Sequence, residues 1–468
     1  MSRTSATLIL LALLIAFLAI GAVFAISTPQ WQAPDEPAHY NYIKYIVEHG
    51  ALPVLQAGDY DQAYNEDFTR TPRATQLRSI DPLRYENYSP PLYYLLAAPI
   101  YAATDGWVVA IRLLSVILGG ALIVVAYLIG AELFSTRLEI ALGGAAFVAF
   151  VPQHVAMLAA VNSDALAELL IALCVYQALR LFRSPRLSQR ALLSLGVTLG
   201  LGLLTKATVY YTALPIVIVA LALHRRRHAS PPSQYALVFA PALTLGALLW
   251  IRNLSVYGGL DILGLARHNA IVIGQPTTAE WIAQYGLGDT LWRGLTTTFH
   301  SFWGQFGWMA VPMPDSTYLI LGALSALALA GWMWGSIERL KDEGGRMKMT
   351  VLFHPSSFIL HPSAFILLAL WVALTFGGLI YYNLTLVQHQ GRYLFPALLP
   401  IGLAFTLGID HWLSKIKAGL IKLTANSQRD LTPWLAEAQL LTLALVFVSL
   451  ARLCVVALQC YIIPYLSA

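Results

Sequence analysis

Six residues, Pro34-Asp35-Glu36-Pro37-Ala38-His39, begin about eight residues after a long apolar run ends at Ile26. Adjacent carboxylates near a membrane are costly to desolvate unless they have partners. A helix starting near Pro37 brings Glu36 and His39, three residues apart, close together. One reading of Asp35 is a helix cap, a role that aspartate fills well ahead of a proline. The other is a general base that takes a proton from an acceptor hydroxyl. A divalent cation bridging Asp35, Glu36 and His39 lacks a full ligand set, so no metal or other cofactor is assigned.

Further groups lie downstream. Tyr88-Ser89-Pro90-Pro91-Leu92-Tyr93-Tyr94 combines two direction-fixing prolines with tyrosines suited to an interface. Asn162-Ser163-Asp164 stands where two apolar runs meet, with helix capping as its alternative role. Arg112, Lys206, Arg252 and Arg392 fall at the ends of apolar runs, on the face that carries few other cations. Snorkelling to lipid headgroups accounts for such a residue singly; four together point to phosphate binding as well. In Gln388-His389-Gln390-Gly391-Arg392-Tyr393, a histidine, an arginine and a tyrosine enter a helix, an arrangement that suits an anionic head group.

The elements that must position these groups are membrane helices. The chain has 468 residues, 58% of them hydrophobic and 11% charged, where a soluble domain carries about a quarter charged. Long continuous apolar runs without strand alternation predict an all-α polytopic membrane protein with about eleven transmembrane helices. The candidate spans are 8–26, 107–129, 140–158, 165–181, 191–204, 207–223, 235–251, 318–337, 364–382, 393–409 and 434–456. The first is read as a retained helix, without a convincing cleavage site. Basic clusters at Arg180/Arg183/Arg186/Arg190, Arg225–Arg227, Arg339/Lys341/Arg346/Lys348 and Lys415/Lys417/Lys422/Arg429 then fall on one side together with Arg3. That side is cytoplasmic, with the N-terminus inside and the C-terminus outside, in a cell (plasma) membrane. Two long loops, 27–105 and 252–316, lie on the outer face, the first carrying juxtamembrane helices. Residues 1–411 form the catalytic body, and 412–468 a cytoplasmic connection plus a final helix.

Other features carry less. Cys174, Cys454 and Cys460 have no metal spacing and read as packing residues. The net charge of +5 is spread over loops, which fits topology signals rather than nucleic-acid binding. The tandem His354-Pro-Ser-Ser-Phe-Ile-Leu360 and His361-Pro-Ser-Ala-Phe-Ile-Leu367 reads as a short duplication in a tolerant connection. Asn253-Leu-Ser255 and Asn383-Leu-Thr385 match the glycosylation acceptor pattern.

Pro34-Asp35-Glu36, Ser89-Pro-Pro-Leu-Tyr-Tyr94, Arg112-Leu-Leu-Ser115, Asn162-Ser-Asp164, Gly202-Leu-Leu-Thr-Lys206 and Gly391-Arg-Tyr-Leu-Phe-Pro396 occur in an order that resembles the GT-C membrane glycosyltransferases. The likeness is to the protein O-mannosyltransferase and aminoarabinose-transferase branch. Phe302-Trp303-Gly304-Gln305-Phe306-Gly307-Trp308 is closer to a bacterial branch of predicted membrane proteins. The resemblance implies a polyprenyl-phosphate sugar donor, an acidic pair in the first outer loop, and inverting transfer to an acceptor hydroxyl or phosphate. It departs at Ser89, where the family has histidine, and shows no carboxy-terminal soluble domain to present a protein acceptor.

On that basis Asp35 and Glu36 are the candidate catalytic residues. Asp164, Asn162, His39, Arg112, Lys206, His389, Arg392 and Tyr393 are the candidate substrate-binding residues. The expected partners are the lipid-linked donor, a glycan, glycolipid or protein acceptor, and membrane lipid, with no nucleic acid. A transporter or flippase of lipid-linked sugars is the alternative; it anticipates polar residues and broken helices near mid-membrane.

Overall fold

The computed structural model describes residues 1–70, 78–182, 188–228, 231–342, 362–423 and 432–466. The first copy of the tandem repeat, His361 of the second, and the basic residues Arg183, Arg186, Arg346, Lys348 and Arg429 lie outside the described residues, while residues 362–367 begin the helix Pro362–Asn383.

Among the described residues, eight helical stretches are long and apolar enough to cross a membrane. They are Arg3–Ser27, Val108–Leu133, Thr208–His228, Ser233–Tyr257, Asp315–Glu338, Ser363–Asn383, Gly391–Leu423 and Pro433–Leu466. The run expected to span 140–158 is instead two helices, Leu138–Phe150 and Pro152–Leu158, bent by 66°. Pro152 offers no N–H to the preceding turn and holds Val151 extended, at ψ 118°, so the helix cannot continue straight. Asp164–Leu181 and Gln189–Leu203 are helical as expected but fall outside the eight. The former carries Asp164, Glu168 and Arg180; the latter has only 15 residues. Among the described residues the fold is all-α apart from a two-stranded antiparallel hairpin, Gln305–Phe306 with Val311–Pro312, and a single bridge between Thr277 and Leu386.

Helix packing relies on small residues. Val108–Leu133 packs against Arg3–Ser27, Leu138–Phe150 and Asp164–Leu181, and a Cβ at Gly130 would come within 2.7 Å of Ala141 Cα. The helices Asp315–Asp342 and Leu398–Leu423 cross at Gly331 and Gly408, where an added Cβ would overlap the backbone opposite. Without a hydrophobic driving force between helices in lipid, such close backbone approach is what holds a bundle together. Leu398–Leu423 is continuous, so the domain boundary drawn at residue 411 falls inside a helix.

The first loop after Arg3–Ser27 folds into two principal helices, Glu36–His49 and Leu92–Ala103. They meet through Tyr42 and Tyr94, stacked with centroids 3.8 Å apart. The loop after Ala236–Tyr257 contributes Thr278–Tyr285, closed by a Thr277/Glu280 capping box, and Leu287–Trp303. Leu287, Leu291, Trp292 and Leu295 are exposed on that second helix, as suits a helix lying at a bilayer interface.

Candidate active site

Asp35 and Glu36 are adjacent but point into different surroundings. Asp35 holds a left-handed backbone at φ 65° and makes no side-chain cap, so the capping role does not describe it. Glu36, the first residue of its helix, is fully buried. Its Oε1 accepts from Arg112 Nε at 2.7 Å and from the Val161 N–H at 3.1 Å. Its Oε2 accepts from Arg112 Nη2 at 2.6 Å and from the Trp31 N–H at 3.1 Å. Arg112, 1% exposed, also donates to the carbonyls of Ala25, Thr28 and Pro29. The pair ties the end of the first helix, the acidic loop and the turn before Asp164 to one another. Neither Glu36 nor Arg112 presents an exposed face in this arrangement.

Asp35 faces the open side, with its side chain 24% exposed. Arg392 donates from Nη2 to its Oδ2 at 2.7 Å, and the Tyr85 hydroxyl donates to its Oδ1 at 2.9 Å. Burial alone would raise the Asp35 pKa, but Arg392, His39 and the Tyr85 hydroxyl outweigh it and hold the carboxyl below its ordinary value. Arg392 is delivered by Gly391, whose missing Cβ lets the chain lie against the backbone of Phe302 and whose N–H donates to Ser301 Oγ at 2.8 Å. Nε of Arg392 has no hydrogen-bond partner in the site.

Beside this pair stands a second. Lys206 Nζ lies 2.5 Å from Asp164 Oδ1, and both side chains keep about a quarter to a third of their surface open, 30% and 26%. Lys206 comes from the turn after Gln189–Leu203, and Asp164 from the first turn of its helix, where its N–H donates to Asn162 Oδ1 at 2.8 Å. Burial would depress the Lys206 pKa, but Asp164 and Glu86 raise it above the ordinary value. Asn162 itself is buried, its N–H on the Tyr93 hydroxyl at 3.2 Å and its Nδ2 without a partner.

His39 is buried one turn from Asp35, its Nδ1 2.9 Å from the Tyr94 hydroxyl and 4.0 Å from Glu86 Oε2. Burial, with Lys206 adding to it, lowers its pKa against the pull of Glu86, Asp35 and Asp164. Asp35, Glu36 and His39 do not converge, and among the described residues no group of three or more His, Cys, Asp or Glu could hold a metal ion.

Of the remaining residues read from sequence, Tyr393 lies beside Arg392, whose guanidinium is 5.4 Å from its ring centroid. His389 is turned away, edge-on to Trp281 and against Gly294. Arg252 bonds to the Pro53 carbonyl and to Asn253, clamping the two outer loops together. Asn253 is fully buried and donates to the Ile262 carbonyl, so it is no glycosylation site in the folded chain. Two participants had no sequence signal strong enough to single them out. Tyr85 and Glu86 stand just ahead of Tyr88-Ser89-Pro90-Pro91, and the Ser89 hydroxyl donates to Glu86 Oε2 at 2.5 Å. The proline pair following them was the available clue.

Comparison with known proteins bears on this arrangement. The model of a family described as predicted membrane protein (DUF2142) matches residues 47–401. The chain belongs to this family. Among solved structures, the Archaeoglobus fulgidus oligosaccharyltransferase, tethered to an acceptor peptide, aligns at TM-score 0.50 and 16% identity, over 97% of the DUF2142 chain. The chain spans 55% of that protein's length. ArnT from Cupriavidus metallidurans, bound to undecaprenyl phosphate, aligns at TM-score 0.48 and 11% identity, covering 100% of this chain and 74% of that one. No curated protein matches. This DUF2142 protein shares its polytopic helical fold with that oligosaccharyltransferase.

Proposed function

We propose that the chain is an integral membrane glycosyltransferase that moves a sugar from a polyprenyl-phosphate donor to an acceptor at the outer face of a cell membrane. The observation that carries this reading is the meeting of Asp35, Asp164, Lys206 and Arg392. Four separate segments bring them to one end of the helix bundle, and each keeps some surface open. The basic clusters at the opposite loops support an outer position for that end. The helices through Leu398–Leu423 supply this catalytic body, with the two long outer loops over it, and the last helix follows.

In the proposed step the acceptor oxygen bonds to the anomeric carbon from the face opposite the phosphate. Its proton passes to the Asp35 carboxylate, the bond from the anomeric carbon to the phosphate oxygen breaks, and the electron pair leaves with the polyprenyl phosphate. Lys206 and Arg392 neutralise the charge that grows on this leaving group. Asp164 orients Lys206 and a sugar hydroxyl, and Tyr393 flanks the phosphate. The depressed pKa of Asp35 keeps it ionised at neutral pH, ready to accept. Arg392 faces Asp35 until a donor phosphate competes for it.

The test is transfer from a radiolabelled polyprenyl-phosphate sugar pool by purified protein, comparing wild type with Asp35→Asn. Loss of turnover with folding and donor binding intact supports the assignment. Equal turnover removes Asp35 and moves the search for the base to Glu86 and Asp164. The bent helix at Pro152 and the buried His154–Glu168 pair, 2.8 Å apart, are features the transporter alternative anticipates. Lipid movement across vesicles without turnover would bring that alternative forward.

A further inference from the structure

Among the described residues, five that are not glycine hold a positive φ: Trp31 at 68°, Asp35 at 65°, Asp105 at 50°, Trp308 at 54° and Met309 at 69°. Side chains rarely tolerate this region, and such residues persist where their surroundings over-determine them. Four of the five gather around a single hydrogen bond. The Trp308 indole Nε1–H donates to the Trp31 carbonyl at 2.8 Å, joining the second outer loop to the acidic loop across 277 positions.

Trp31 is gripped at both ends of its backbone. Its N–H donates to Glu36 Oε2 at 3.1 Å, inside the buried Glu36–Arg112 pair, and its carbonyl is held by Trp308. Asp35 lies four residues on, in the next turn, which the Glu36 N–H closes on the Ala33 carbonyl at 3.3 Å. Trp308 is fixed in its own right by the hairpin that carries it. The Gln305 N–H donates to Gln153 Oε1 at 2.8 Å, next to the bend at Pro152, and Gln305 Nε2 donates to the Met309 carbonyl at 2.8 Å. One end of this chain of contacts is the bent membrane helix and the other is the turn presenting Asp35.

We infer that Trp308 is a positioning residue for Asp35, acting through Trp31 to hold the left-handed turn that aims the carboxylate at the acceptor. This rests on the role of Asp35 proposed above. Two substitutions test it in full-length protein in nanodiscs. Trp308→Phe removes the N–H and part of the ring; Trp308→benzothienylalanine keeps the shape and removes only the N–H. Trp303→Phe, in the same segment and 2% exposed, controls for packing.

Both Trp308 variants are expected to speed hydrogen–deuterium exchange in residues 29–40 and to lower kcat about tenfold, a displacement-sized effect. KM for a polyprenyl-phosphate sugar should stay within about twofold, since the cations that hold phosphate are untouched. Trp303→Phe should lower the melting temperature without the kcat–KM split. Unchanged exchange at 29–40 in both Trp308 variants overturns the inference. So does faster exchange with kcat intact, which makes the bond a structural tie alone. Should wild type transfer no sugar, the functional reading fails, and unchanged or faster exchange still decides whether Trp308 holds the turn.

Discussion

Glu36→Gln should cost stability before it costs chemistry. Both partners of the ion pair are out of solvent, Glu36 at 0% and Arg112 at 1%. Four donors converge on the two carboxylate oxygens: Arg112 Nε, Arg112 Nη2 and the N–H groups of Trp31 and Val161. A glutamine has one acceptor oxygen, so whichever way its amide turns, two of the four donors face an NH₂ group. Breaking a buried ion pair from one side costs about 3–5 kcal/mol, chiefly because the other charge is left uncompensated. Against a net stability of about 5–15 kcal/mol for a typical folded chain, that is a large fraction. The expected outcome is poor recovery of monodisperse protein in mild detergent and an early melting transition by size-exclusion thermostability. Arg112→Met alone should be as damaging, because it also strands the carbonyls of Ala25, Thr28 and Pro29. The double variant Glu36→Gln/Arg112→Met should lose less than the sum of the two, the sign of direct coupling. A Glu36→Gln protein that melts with the wild type yet turns over no donor would refute this reasoning and make Glu36 the catalytic carboxylate.

Other consequences can be measured separately. Lys206→Gln should lower kcat/KM for a polyprenyl-phosphate sugar by about 10²–10³, the usual cost of one charge-stabilising donor; an unchanged value would place the phosphate elsewhere. His39 has a folded pKa below the ordinary 6.5, so the stability it contributes is complete above 6.5 and is lost as pH falls through the lower folded value. The melting temperature should therefore drop on acidification below 6.5, and drop less in His39→Gln, as a pH series of melts would reveal. Gly408→Val should abolish recovery of folded protein, because its Cβ would overlap the Ala328 carbonyl at a helix crossing; normal yield and melting would show that the crossing can open.

The membrane helices were legible because a span is written in consecutive residues: a run such as Leu8–Ile26 needs no tertiary information to declare itself. The break at Pro152 was also within reach, since a proline and the residue before it constrain the chain locally. Length and apolarity alone concealed it. Asp35, Asp164, Lys206 and Arg392 could be grouped from topology and the order of the motifs, but their pairing as Asp35–Arg392 and Asp164–Lys206 could not. What sequence could not divide was the work of Asp35 and Glu36. Their directions depend on a positive φ at Asp35, which follows from contacts with Arg392, Tyr85 and, through Trp31, with Trp308. Glu86 escaped for a related reason: a single acid in a loop gives no pattern until the fold sets it near His39. His389 drew interest as a histidine three residues before Arg392, yet its ring packs against Trp281 and Gly294 instead.

That division explains how two neighbouring carboxylates can be kept at the edge of a bilayer. If both faced one opening, each charge would disfavour the other. The left-handed residue separates them: Glu36 turns inward to start a helix, and Asp35 is left at the opening. The inward charge is matched by Arg112, which spends its donors on the end of the first helix and so fixes the loop to the bundle. Rigidity set in this way during folding need not be created during reaction, which is the condition for a charged site to stabilise a developing charge. Asp35 is then held by Arg392 and the Tyr85 hydroxyl, contacts for which an incoming phosphate and acceptor could compete. On the proposed reading the sequence Asp-Glu is a working group followed by its own foundation, and exchanging the two residues should destroy the site even though composition and net charge stay the same.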